Sequence, residues 1–297
     1  MLNRLPSFQL WHALKHKPNG DPVAIRMAIL RTQPQPPNAF RDIMKTLAVL
    51  GAGGCLIPPT LFFFLFALLS YQHWLFLFAG TALAIDLTLG IAPQIAEERR
   101  RGVFGLLEVA PGGRLASAWS LCLGWLHYKA GLTRRFGIHR FVMFALAMIG
   151  LGYLPFSLVG FEVPISVSPL VWGLIIIVEM LIILSIDFRH SLIAALLCSI
   201  LGGLLTTRRS EAGVAAMIIF LLVQILVYAA WGLILLITTG ATESLRAPIA
   251  GLDIAIALML MLAFAVLREA GTWALWRIVC SRTETQPDID AALEQSL

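Results

Sequence analysis

The chain has 297 residues, of which 59% are hydrophobic and only 13% charged, and its formal net charge is +5. Soluble domains are about 45–50% apolar and about 25% charged, and so few polar groups cannot cover a water-soluble globule. This composition excludes a soluble enzyme, a disordered chain and a secreted miniprotein, and it predicts an all-α polytopic integral membrane protein.

The first 45 residues are predicted to form a cytoplasmic N-terminal segment. They are too polar to supply the apolar part of a cleavable signal peptide. Residues 1–46 hold seven Lys and Arg residues against Asp21 and Asp42. The segment therefore has the charge expected of a chain end that stays on the inner side of a membrane.

Six apolar runs are long enough to cross a bilayer, since a crossing helix needs about 20 predominantly apolar residues. They are Thr46–Leu69, His73–Ala96, Phe141–Gly160, Pro169–Thr206, Gly213–Thr238 and Ile249–Leu267. The fourth run is interrupted by Asp187-Phe188-Arg189-His190, so its length alone leaves open one long helix or two short ones.

The distribution of positive charge favours a single crossing by the fourth run. Of the 22 Lys and Arg residues, 20 lie in four segments, namely 1–46, 97–140, 207–212 and 268–297. This alternation obeys the positive-inside rule only if the fourth run crosses once. We therefore predict six transmembrane helices over 46–267, a cytoplasmic region at 97–140 and a cytoplasmic tail at 268–297. Both termini would be cytoplasmic, in a cell (plasma or inner) membrane.

The segment after the second run is predicted to be an amphipathic helix. Charges crowd its start at residues 97–101, and the apolar positions then recur at three- and four-residue spacing. Pro111 closes the segment, because proline cannot continue a helix. Such a helix either lies on the membrane surface or docks into a groove of a soluble partner. A second apolar patch, Leu115–Leu126, is too short to span and is expected at the interface.

This segment resembles the cytoplasmic motif of ABC-2 type transporter permeases, whose pattern is approximately E-R-E-x-G-T-x-E-L-L-x-x-T-P. The matching residues are Glu98, Arg99 or Arg100, Gly102, Leu106, Leu107 and Pro111. Val103 stands where the family usually has Thr. Upstream, Pro22, Val23 and Arg26 resemble the family's N-terminal interfacial elbow helix, often written N-P-V-x-x-R-E.

The resemblance implies a permease subunit of an ATP-driven exporter. Its cytoplasmic coupling helix would sit in a groove of a separate nucleotide-binding ABC ATPase subunit, and ATP and Mg would bind there. Consistently, the chain has no GxxxxGK[ST] phosphate-binding loop of its own. No cofactor is expected on this chain. The implied partners are the ATPase, the lipid bilayer and a second permease, either identical or related, but no nucleic acid.

Ionisable and amide side chains inside the apolar runs are candidates for a polar path. A charge at the bilayer centre costs about 2.5–3.5 kcal/mol on insertion scales, so such residues face protein or water and often pair. The candidates are Asp86, Glu179, Asp187 and Gln224. Gln224, Tyr228 and Trp231 share one face of the fifth run, which also fits a packed seam or an aromatic anchor.

No catalytic or metal-binding constellation stands out in the sequence. The six histidines lack HxxxH or HExxH spacing, and the four cysteines lack CxxC spacing. Two other function classes stay open: an integral-membrane enzyme that acts on lipid, and a non-transporting assembly or regulatory subunit.

Overall fold

A computed structural model describes residues 6–15, 73–102, 113–129, 169–244 and 252–283. The helices are α1 (Pro6–Lys15), α2 (His73–Arg100), α3 (Gly113–Gly124), α4 (Pro169–Leu205), α5 (Arg209–Ser244) and α6 (Leu252–Thr283). A π-helical turn, Trp125–Lys129, continues α3. Every regular element within these ranges is helical, which confirms the predicted all-α class.

Three of these helices are long and apolar enough to cross a membrane. The stretches are Leu181–Leu205 in α4, Arg209–Thr238 in α5 and Leu258–Thr283 in α6. They support a membrane protein by length and composition. Two predicted crossings, Thr46–Leu69 and Phe141–Gly160, lie outside the described residues, and so does the elbow with Pro22, Val23 and Arg26.

Helix α4 runs through the centre of the bundle without a break over 37 residues. It is therefore one helix across 169–205, as the charge distribution predicts. In its membrane stretch 71% of the most apolar window is buried, against 22% for α5 and for α6. The outer faces of α5 and α6 carry exposed large apolar side chains, including Leu222, Leu226, Leu236 and Leu262. Such faces suit a hydrocarbon environment.

Small residues let three helices approach closely near the end of α4. A Cβ atom on Gly202 would lie 2.6 Å from Cβ of Ala216 on α5, and one on Gly203 would lie 2.6 Å from Cβ of Ile95 on α2. Any side chain there would push the helices apart. Gly202 and Gly203 thus allow close helix approach on two sides of α4.

Helix α3 lies in the core rather than on a surface. Trp119, Leu121 and Leu123 are almost fully buried, together with Leu10 and Leu14 of α1. The patch 115–126, expected along the membrane interface, is thus packed inside the described bundle. Its apolar side chains are covered by neighbouring helices of the same chain, an arrangement that the length of the run does not reveal.

Helix α6 extends well beyond its predicted end. The last apolar run was placed at Ile249–Leu267, but the helix continues to Thr283. Arg268, which the charge distribution assigned to the cytoplasmic tail, therefore lies within the helix and is 97% buried, with 3% relative exposure. Apolar residues that follow Arg268 in the helix, such as Leu275 and Trp276, keep this part of α6 packed against the core.

Candidate functional site: a buried polar network and the charged end of α2

A buried ion pair joins α4 to α6 within the two apolar stretches Leu181–Leu205 and Leu258–Thr283. The guanidinium Nη2 of Arg268 donates to Oδ1 of Asp187, and the two side chains are 3% and 2% exposed. Gly80 on α2 lies beside the carboxylate, since a Cβ there would be 3.0 Å from Oδ2 of Asp187. Two charges taken out of water must be paired and hydrogen-bonded to be tolerated, and this pair is.

Helix α5 contributes an amide that links Arg268 on α6 to Ser191 on α4. Nη1 of Arg268 donates to Oε1 of Gln224 over 2.6 Å. Nε2 of Gln224 then donates to Oγ of Ser191 on α4 over 3.3 Å. Because Arg268 has only donors, the amide oxygen must face it and the amide nitrogen must face Ser191. Both polar ends of Gln224 are thereby satisfied inside the bundle.

Tyr228 extends the network to α2. Its hydroxyl donates to Oδ1 of Asp187 over 3.1 Å and lies 3.2 Å from Oγ1 of Thr81. The guanidinium of Arg268 also lies over the Tyr228 ring, 4.8 Å from its centroid, and 5.4 Å from that of Phe264. The cation is therefore held by a carboxylate, an amide oxygen and two aromatic faces.

A second branch of the network surrounds His190. The Thr272 hydroxyl donates to the backbone oxygen of Arg268 over 3.0 Å, so it accepts from Nδ1 of His190, which lies 2.9 Å away. Nε2 of His190 lies 3.8 Å from Oε2 of Glu269, so these two side chains form an ion pair only when the imidazole is protonated. Glu269 in turn accepts the backbone N–H of Ser7 over 3.0 Å, at the N-terminus of α1.

Helical spacing explains why these groups meet. Asp187, His190 and Ser191 lie at i, i+3 and i+4 on α4, so they share one face. Gln224 and Tyr228 are four residues apart on α5, and Arg268 and Thr272 are four apart on α6. Each of the three helices thus turns one row of polar side chains inward. The rows of α5 and α6 meet the row of α4.

The charged end of α2 is the second region of interest. Glu97 accepts hydrogen bonds from Arg100 and from Arg101, each at 2.9 Å to its Oε1. These two bonds, the one from Arg100 foremost, lower the pKa of Glu97 to about 2. Gly102 follows with a φ of +74° and its N–H bonded to the Arg99 oxygen. A left-handed glycine of this kind ends a helix.

This ending corrects the predicted position of the charges. Glu98, Arg99 and Arg100 were expected in the first turn of a separate amphipathic helix, but they form the last turn of α2. The charges follow the apolar run without a break in helical geometry, and the glycine stops the helix after them. Glu98 is buried there, whereas Arg100 is exposed.

Arg99 ties the end of α2 to the end of α4. Its Nη1 donates to the backbone oxygens of Gly203 and Leu204, at 3.0 and 2.5 Å. Carbonyl groups in the last turn of a helix have no partner within it, and a cation there also compensates the negative end of the helix dipole. The two helix ends are therefore held together by a charge-assisted contact.

The structure thus brings some of the predicted site residues together and leaves others apart. Asp187 and Gln224 meet through Arg268, which the sequence analysis did not propose as a site residue. Asp86 lies half-buried on α2, and the side chain of Glu179 lies outside the described residues. Outside them, too, lie Val103, Leu106, Leu107 and Pro111 of the motif.

No protein-family model, curated protein or solved structure matches the chain. In the ranges that the structure describes, no group of three or more His, Cys, Asp or Glu side chains could hold a metal ion.

Proposed function

We propose that this chain is the membrane permease subunit of an ATP-driven ABC transporter, working as an exporter of a substrate that its residues do not identify. The proposal rests on where the permease-like motif lies in the fold. Its first residues, Glu98 to Gly102, lie at the end of α2. Among them, Arg99 donates hydrogen bonds to backbone oxygens in the last turn of α4. The motif is thus joined directly to the central helix of the bundle.

A coupling segment needs a stiff connection to the helices that it moves. Gly102 has a defined left-handed backbone and donates its N–H to Arg99. A force applied to the residues after Gly102 would therefore act on the end of α2, and through Arg99 on the last turn of α4. In this proposal the segment 103–111 docks on the ATPase, and α2 and α4 move together.

In this proposal, a motion of α4 would act on the hydrogen bonds of the buried network. Asp187 on α4 is bonded to α6 through Arg268 and to α5 through Tyr228. Ionisable groups at membrane depth are rare and often belong to a transport path or a helix clamp. Displacing α4 would have to break or remake these bonds, so the network is the proposed two-state element of the permease.

The partners and the cofactor follow from the same proposal. ATP and Mg would be held by a separate ABC ATPase subunit. A second permease, identical or related, would complete the pathway, since one bundle supplies only half of it. The chain would lie in the plasma or inner membrane with its termini in the cytoplasm, beside its ATPase.

The decisive experiment expresses the full chain together with an ABC ATPase from the same genome and measures co-purification and ATP hydrolysis. We expect the pair to co-purify and the chain to stimulate hydrolysis. Leu106→Asp should abolish the stimulation without preventing membrane insertion, because a charge would disrupt the apolar docking face. Leu106→Met is the matched control and should keep it.

Each other result has a definite meaning. If no ATPase binds the chain, the permease proposal is rejected and a membrane enzyme acting on lipid becomes the better hypothesis. If an ATPase binds but hydrolysis is never stimulated, the chain is an assembly or regulatory subunit. If Leu106→Asp stimulates as well as the unmodified chain, the segment is not a coupling helix.

A further inference from the structure

A cleft lined by three arginines opens where the ends of four helices meet. Arg99 ends α2, Arg114 begins α3 and Arg282 lies in the last turn of α6. The remaining lining consists of leucines from the last turns of α4, Leu201, Leu204 and Leu205. Residues distant in sequence thus place three positive charges against one apolar floor.

The cleft has the size and charge of an anion site. Its volume is about 280 Å³, and none of its described lining residues is acidic. That volume is close to the lower end of the range for small-molecule pockets, about 300–1,000 Å³. It suits a phosphate headgroup rather than a whole lipid. Guanidinium groups are the side chains that bind phosphate oxygens with the best geometry.

The position of the cleft indicates the source of that phosphate. It lies at the ends of two membrane stretches, Leu181–Leu205 and Leu258–Thr283. Leu205, on its floor, is 59% exposed. An exposed apolar side chain beside clustered cations, at the boundary of an apolar helix, matches an anionic phospholipid with its headgroup on the arginines and its acyl chains along the helices.

We propose that Arg99, Arg114 and Arg282 form a binding site for the phosphate of an anionic phospholipid, at the end of the bundle where α2, α4 and α6 terminate. Arg99 also belongs to the proposed coupling motif, but lipid binding at this site needs only the membrane and the chain itself and is measured without the ATPase. Arg99 contributes from a fixed position, because Nη1 is already bonded to the end of α4. Arg282 is exposed at the rim of the site.

The test uses the full chain, purified in a neutral detergent and titrated with three probes. They are short-chain phosphatidylglycerol, short-chain phosphatidylcholine and inorganic phosphate. Affinity is measured by thermophoresis, and retained lipid by native mass spectrometry. We expect phosphatidylglycerol to bind and the other two to bind at least tenfold more weakly, because only this probe joins a net negative charge to an acyl chain.

Variants separate the cleft from general surface charge. Arg282→Gln should weaken phosphatidylglycerol binding about fivefold, equivalent to about 1 kcal/mol for one basic residue near a membrane surface. Arg282→Lys keeps the charge and should retain most of the affinity. Arg209→Gln removes an exposed positive charge at the start of α5, outside the cleft, and should change the affinity less than twofold.

Three outcomes would overturn the lipid site. Equal binding of inorganic phosphate and phosphatidylglycerol would make the cleft a soluble-anion site. Equal losses in Arg282→Gln and Arg209→Gln would reduce the effect to diffuse electrostatics. Binding of phosphatidylcholine as tight as that of phosphatidylglycerol would show that the arginines do not select the ligand. None of these outcomes depends on the ATPase.

Discussion

Arg268 on α6 and Asp187 on α4 form an ion pair that is almost completely shielded from solvent, with 3% and 2% of their side chains exposed. Helix α5 adds Gln224, which accepts from Arg268, and Tyr228, which donates to Asp187. The arrangement joins three helices at one point, and the three helices that it joins are those with the length and composition of membrane spans.

The two charges should depend on each other for stability. Arg268→Gln leaves Asp187 buried without its cation and should cost about 3–5 kcal/mol, seen as a lower thermal midpoint in detergent. The double variant Asp187→Asn/Arg268→Gln removes both charges and keeps hydrogen-bonding groups, so it should recover most of the loss. If the double variant is as unstable as the sum of its single variants, the pair is not coupled.

Gly102 should be replaceable only by residues that accept a left-handed backbone. A Cβ there would meet nothing within 4 Å, so side-chain size is not the constraint, but the φ of +74° is. Gly102→Val should lower stability by about 1–2 kcal/mol and loosen the end of α2. Gly102→Asn should be nearly neutral, since Asn tolerates this conformation. Hydrogen exchange at the residue 102 amide is the measurement, and equal exchange in both variants would contradict the prediction.

Two helical glycines should respond to alanine in opposite directions. Gly202→Ala would place a methyl group 2.6 Å from Cβ of Ala216 and should destabilise the α4–α5 contact by about 1–3 kcal/mol. Gly271→Ala meets only Cγ2 of Val227, at 3.5 Å, and should be neutral or stabilising by up to about 1 kcal/mol. Thermal midpoints of both variants test this, and a destabilising Gly271→Ala would show that the α5–α6 contact is tighter than described.

The pairing of Glu97 should persist to unusually low pH. Hydrogen bonds from Arg100 and Arg101 lower the pKa of this carboxyl from 4.5 to about 2. A depressed folded-state pKa means that the contribution to stability is complete above pH 4.5 and is lost as the pH falls towards 2. Carboxyl carbon chemical shifts should report a midpoint near 2.

A matched variant identifies the cause of that shift. In Arg100→Gln/Arg101→Gln the carboxyl loses both donors, and its midpoint should return towards 4.5. Arg208→Gln removes an arginine that pairs with Glu211 instead, so it should leave Glu97 unchanged. A midpoint near 4.5 in the unmodified chain would mean that the two arginines do not hold the carboxylate in solution.

The sequence predicts the polar groups of the network better than it predicts their partner. Asp187 and Gln224 stand out because each interrupts an apolar run, where a polar group needs a special reason. Arg268 was assigned to the tail because the apolar run ends at Leu267 and further arginines follow it. The signal that it lies inside a helix is the continued apolar spacing after it, through Leu275, Trp276 and Val279.

Helices α1 and α3 show what hydropathy alone cannot reveal. Their apolar runs are short, and a short run has the same composition whether it lies on a membrane or inside a bundle. Burial of Leu14 and Trp119 depends on helices far away in the chain, so no local pattern decides it. Leu10 and Leu14, four residues apart beside Trp11, could have indicated that α1 has a face to bury.

The unbroken course of α4 has a mechanical consequence. Asp187 and Leu205 are 18 residues apart on one uninterrupted helix, which corresponds to a lever of about 27 Å at 1.5 Å per residue. A tilt of about 5° about the end held by Arg99 would carry the Asp187 end sideways by about 2 Å. A hydrogen bond such as that from Tyr228, 3.1 Å long, does not survive such a displacement. A small rotation at the Arg99 end of α4 would therefore be magnified into a change of bonding partners at the Asp187 end.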